Sequence, residues 1–129
     1  MKRTEALCRV LGWQGGTVHQ VEKEIGVSST DIIYGTPESA NDYAAGRAAV
    51  RECSLEYIRG FAVRDFKGNK DFWLGVADTF AATWLKPCVV TYRGFLQDIQ
   101  RTFETMERAV QWARQCGVYK NATFNLAQA

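Results

Sequence analysis

The stretch from Phe72 to Leu85, Phe-Trp-Leu-Gly-Val-Ala-Asp-Thr-Phe-Ala-Ala-Thr-Trp-Leu, leaves this chain few ways to fold. Trp73, Val76, Ala77, Phe80 and Trp84 recur at three- and four-residue spacing, which puts them on one face of an α-helix. Such a face has to be covered, because each large apolar side chain contributes about 1.5–3 kcal/mol when it leaves water. Gly75, Ala77, Ala81 and Ala82 carry little side chain, so a neighbouring helix can approach closely on that side. The pattern predicts a central aromatic helix on which the rest assembles. It carries no reaction chemistry.

In front of it the punctuation is helical. Thr4 to Trp13 reads as a short amphipathic helix with Leu7, Val10 and Leu11 inward, broken by Gly15-Gly16. Thr17 and Gln20 form a capping box for a second helix with Val18, Val21 and Ile25 on its buried side. Gly26 suits the left-handed residue that closes it. Ser28 can cap a third helix carrying Ile32 and Ile33, which stops at Gly35. Thr36-Pro37-Glu38 then opens a helix expected to run to about Arg59, with Tyr43, Val50, Cys53 and Tyr57 on one face and an end or bend at Gly60. Arg64 to Asn69 reads as a polar connection, Asn69 as the cap of the aromatic helix, and Pro87 as the limit of its run.

Beyond Pro87 the texture changes. Cys88 to Tyr92 is rich in β-branched and aromatic residues, Arg93-Gly94 opens a turn, and Ile99, Arg101 and Phe103 alternate as in a half-buried strand. Thr105 caps a helix through Cys116, Gly117 ends it, and Ala122 to Leu126 returns as a third strand. A rival pattern uses the same residues: Leu96, Ile99, Phe103, Met106, Val110 and Ala113 also fit one long helix from Phe95 to Cys116. We read the fold class as α+β, an N-terminal helical bundle packed on the central aromatic helix and followed by a small β-β-α-β unit.

A length of 129 residues suits a single domain, helical over 1–86 and β-β-α-β over 87–129, with any boundary near Pro87. Residues 1–46 carry four basic and six acidic groups, 47–85 six and five, and 86–129 six and three, so the front is the acidic end. The overall charge of +2 is too balanced to imply a polyanion partner by itself. Cys8, Cys53, Cys88 and Cys116 lie too far apart in sequence for a close zinc or dithiol pair, and read as reduced structural thiols of a cytoplasmic protein. No apolar run reaches the length of a membrane span, and none resembles a signal peptide.

Residues 17–35 resemble a helix-turn-helix: Gly26-Val27-Ser28 stands at the turn, and residues 21, 25, 27 and 32 stand on the inner face. The likeness covers about a seventh of the chain and departs at Glu22, where the motif prefers a small side chain. The resemblance implies a second helix in the major groove, with Ser29, Thr30 and Tyr34 reading bases. Phosphate contacts dominate such complexes. Yet no Lys or Arg lies between Lys23 and Arg47, while Glu24, Asp31, Glu38 and Asp42 do.

Other chemistry is thin. His19 is the only histidine, beside Glu22 and Lys23 at helical spacing, with no nucleophile pattern to serve. The glycines at 12, 15 and 16 lack the lysine and spacing of a P-loop, and one histidine among scattered carboxylates makes no typical metal site. Neither a cofactor nor a metal is expected. Arg59, Arg64, Lys67 and Lys70, interleaved with Phe61, Phe66 and Phe72, form the main candidate surface. It suits an acidic protein surface with arginine and aromatic anchors, or nucleic acid through phosphate contacts and stacking. The reading is a non-enzymatic accessory protein that binds another macromolecule, most simply a protein, as inhibitor or adaptor. The alternative is a helix-turn-helix transcriptional regulator.

Overall fold

The computed structural model describes residues 2–13, 18–34, 40–52 and 55–127. The expected break at Gly15-Gly16, the Thr17 half of the capping box, the stop at Gly35, the Thr36-Pro37-Glu38 start and Cys53 lie outside the described residues. The chain divides into two compact units, Met1–Ala81 and Ala82–Ala129, so the division falls ahead of Pro87, inside the last turn of the aromatic helix.

The first unit is helical. α1 (Arg3–Val10), α2 (Val18–Ile25) and α3 (Ser29–Tyr34) pack on one another, and α4 (Ala40–Glu52) follows. A continuous winding then runs through α5 (Leu55–Tyr57), a π-helical stretch (Ile58–Ala62) and α6 (Val63–Asp65), before α7 (Lys70–Thr83), the expected central helix. Phe72, Trp73, Leu74, Val76 and Phe80 of α7 are buried, as are Leu7, Val10, Val21, Ile25, Ile32, Val50 and Ile58 around them. Local caps act as the sequence suggests. Asn69 Oδ1 accepts from the Phe72 N–H at 3.1 Å, Ser28 Oγ accepts from the Thr30 N–H at 3.3 Å, and Gly26 closes α2 at φ +71°.

The low side of α7 is used by α4. A Cβ on Gly75 would stand 2.2 Å from the Tyr43 carbonyl oxygen, and one on Gly46 would stand 2.0 Å from that of Phe72. The two glycines face each other's backbone, and the helices cross with no side chain between them at that point.

Three expectations are corrected. α1 ends at Val10 rather than Trp13, because Gly12 takes φ +77° and donates its N–H to Arg9 O at 3.1 Å. Of the end or bend expected at Gly60, the end is absent: the chain winds on through a π turn, in which Ile58 and Ala62 stay buried while 59–61 face outward. Arg64 and Asp65 belong to that winding, and the connection begins only at Phe66.

One polar network ties the unit together. Arg3 clamps Asp78 with Nε to Oδ1 at 2.7 Å and Nη2 to Oδ2 at 3.0 Å, and the Tyr43 hydroxyl donates to Oδ2 at 2.6 Å. Burial, and then the bond to Asp78, hold the Tyr43 phenol above its ordinary value near 10. A phenol raised in the folded state contributes stability that is complete below the unfolded pKa and is lost as pH rises through the folded one. Stability is therefore expected to fall above about pH 10, and Tyr43→Phe to remove that part of the loss. Urea unfolding at stepped alkaline pH measures it; an unchanged slope in the variant would contradict it.

The second unit is a three-stranded antiparallel sheet with one helix. β1 (Cys88–Arg93) is central, with β2 (Asp98–Phe103) on one side and β3 (Thr123–Leu126) on the other. β1 pairs with β2 from Cys88↔Phe103 to Arg93↔Asp98 and with β3 from Cys88↔Leu126 to Thr91↔Thr123. α8 (Met106–Gln115) covers the face made by Cys88, Val90, Tyr92, Phe103 and Phe124, through Ala109, Met106 and Trp112. Thr105 Oγ1 caps α8 by accepting from the Arg108 N–H at 3.2 Å. The strand reading of residues 98–103 therefore holds against the single long helix, and β1, β2, α8 and β3 form the β-β-α-β unit.

Candidate functional site

The four basic residues of the candidate surface have different neighbours. Arg59 is exposed but folds back along the surface to donate from Nε to Val10 O at 2.9 Å; its guanidinium lies where a Cβ on Gly12 would meet it at 3.3 Å. Its role is to brace the end of α1. Arg64 stays outside, paired with Asp65 at 3.0 Å and lying over the Phe61 ring at 5.5 Å. Phe61 is 55 % exposed and stacks on Tyr57 with ring centroids 6.0 Å apart. The π winding explains this placement. It buries Ile58 and Ala62 and swings the residues between them outward, so a phenylalanine that composition assigns to the core lies on the surface under an arginine.

Lys67 is exposed, and its Cγ lies where a Cβ on Gly26 would meet it at 3.2 Å. The Gly68 N–H donates to Ile25 O at 2.8 Å and fastens this turn to the end of α2. Lys67 thus stands beside the turn between α2 and α3. Lys70 opens α7 and is half-buried.

In the segment resembling a helix-turn-helix, α2 and α3 touch, and α3 is described over Ser29–Tyr34. Glu22 points outward and accepts from the Ser29 N–H at 3.3 Å. The carboxylate that departs from the motif therefore serves as a second cap on α3, and it places negative charge where a phosphate would approach that helix end. Thr30 is exposed, its hydroxyl 2.7 Å from that of Ser28, and Ser29 is half-buried. The Tyr34 side chain lies outside the described residues.

No family model, curated protein or solved structure matches the chain.

His19 is exposed on α2. Among the described residues, no three His, Cys, Asp or Glu side chains gather where they could hold a metal ion. Cys8 and Cys88 are buried, and burial is the main cause raising both thiols above their ordinary value; Cys116 is exposed. No described helix is long and apolar enough to cross a membrane.

The turn expected to open at Arg93-Gly94 is present, but sequence reasoning missed the exposed apolar pair it carries. Phe95 is 98 % exposed and Leu96 84 % exposed. The signal was their position between Arg93-Gly94 and Gln97-Asp98, where turn residues bracket two large apolar ones.

Proposed function

We propose that this protein is a non-enzymatic accessory module that binds another protein, acting as an inhibitor or adaptor. The observation that supports this best is the group along the α5–π–α6 winding, exposed Phe61 stacked on half-buried Tyr57 with exposed Arg64 above it. Aromatic and arginine side chains supply most of the energy at protein interfaces, where a large ring fills a pocket and a guanidinium satisfies acceptors around it. A solvated surface gains nothing from holding a phenylalanine out in water. The Arg64–Asp65 pair leaves the group near neutral, which suits a mixed protein surface better than a polyanion.

The test is capture from a lysate treated with nuclease, comparing the natural chain with Phe61→Ser/Arg64→Glu. The same partner is expected with and without nuclease, and its affinity for the variant is expected to fall by about 30-fold or more, the size of a hot-spot loss. Equal capture by both chains would contradict the placement of the surface.

A second reading, transcriptional regulation through residues 17–35, draws support from Lys67 at the α2–α3 turn. It requires duplex binding that weakens steeply as salt rises, and Lys67→Ala should then flatten that dependence by about one charge. The Glu22 carboxylate at the head of α3 opposes this reading.

A further inference from the structure

The β1–β2 turn holds its apolar pair outward by construction. The Gly94 N–H donates to Gln97 O at 2.8 Å, and Arg93 and Asp98, partners in the strand register, form an ion pair at 3.5 Å across the base of the turn. A Cβ on Gly94 would lie 2.6 Å from Ile99 Cδ1 and 2.7 Å from Gln97 O, so the tight closure depends on glycine. Phe95 and Leu96 take no part in the core of this unit, which Cys88, Val90 and Ala109 form with the rings around them. Two adjacent large side chains almost wholly in water on a turn braced at both ends form a presented surface, not scattered exposure.

We infer that Phe95 and Leu96 form a finger that enters an apolar pocket on a partner protein. The charge at its base decides among occupants. Arg93 and Asp98 cancel, so the finger offers no cationic collar to an anionic lipid surface and nothing to a phosphate backbone. Two side chains also carry no more apolar area than one acyl chain, which by itself holds a protein at a membrane only marginally. Behind the finger runs β2, an edge strand exposed over most of its length. A bilayer cannot satisfy the backbone groups of such an edge, whereas a polypeptide can. Gln97 and Gln100, both exposed, supply a polar rim around the apolar tip. The inference extends the protein-binding reading to a second surface and rests on it only for the class of partner.

The experiment puts photoreactive p-benzoylphenylalanine at position 95 of the full chain, with a control at Lys120, and irradiates each in a lysate of the source cells. Expected is one protein adduct at 95 and not at 120, mapped to apolar residues of the partner. Excess natural chain should compete it away, and Phe95→Ser/Leu96→Ser should compete at least about tenfold less well. The double variant should keep its thermal midpoint within about 1 °C, since exposed sites away from core contacts are near neutral. A fall of several degrees would show the pair covered within the chain and overturn the finger. So would an adduct to lipid, an adduct at twice the mass of the chain, equal competition by the variant, or no adduct. Capture that depends on Phe61 and Arg64 while position 95 gives no adduct would defeat the finger and leave the first surface standing.

Discussion

Gly75→Ala is expected to lower the stability of the helical unit by about 3 kcal/mol, the upper end of what overpacking costs. The added methyl would stand 2.2 Å from the Tyr43 carbonyl oxygen, with the Arg47 backbone nitrogen at 3.1 Å. Backbone cannot rotate away as a side chain can, so α4 and α7 have to separate. Gly46→Ala presses the same crossing from the other side and should behave alike. Against a total of about 5–15 kcal/mol for a domain, either change lowers the midpoint by roughly 12–24 °C. Gly60→Ala is the control, because nothing lies within 4 Å of its Cβ position. It should be neutral or stabilise by up to about 1 kcal/mol, since alanine is the better helix former. Thermal unfolding followed by tryptophan fluorescence compares the three. If Gly75→Ala and Gly60→Ala unfold together, the close crossing is wrong.

Trp73→Ala should cost about 3–5 kcal/mol and leave little folded protein at 37 °C. Trp73 is wholly buried, donates from Nε1 to Phe66 O at 2.9 Å, and meets the Phe72 ring edge-on at 5.1 Å. Phe72 in turn stacks on Phe66 at 3.9 Å. Removing the indole therefore opens a cavity and takes one of two donors from the Phe66 carbonyl, which keeps the Asn69 N–H at 3.1 Å, at the place where the turn after α6 joins α7. Trp73→Phe separates the two effects. It retains much of the ring volume and loses the hydrogen bond, so it should cost less, about 1–2 kcal/mol. Urea denaturation of both variants gives the comparison. Equal losses would mean that the hydrogen bond, and not packing, dominates the site.

What could be read from the sequence was what neighbouring residues decide. Ser28, Asn69 and Thr105 cap their helices because a cap needs only a side-chain oxygen and an amide two or three residues on. The low side of α7 was legible in Gly75, but its partner Gly46 was not, since nothing local says which helix will approach. Gly60 reads as an end or a bend because glycine usually interrupts a helix; here Ile58 and Ala62 are buried on either side of it and the winding continues as a π turn. Residues 95–116 fitted two patterns, and the pairing of β2 with β1, a contact between distant segments, selected one. The candidate surface was legible only in part. Arg59, Arg64 and Lys67 are close in sequence, yet the π winding and the turn after it send them to the end of α1, to Phe61 and to Gly26. Phe61 was named with that surface, whereas Phe95 and Leu96 were missed for a related reason: large apolar residues are assigned inside by default, and only the fold reveals those that stay outside.

The proposed protein-binding role is tested most directly by amide hydrogen exchange on the captured complex against the free chain. Slowed exchange is expected over residues 57–64, around Phe61 and Arg64, with residues 29–34 unchanged. Slowed exchange confined to residues 29–34, produced by a DNA duplex and abolished by moderate salt, would contradict it.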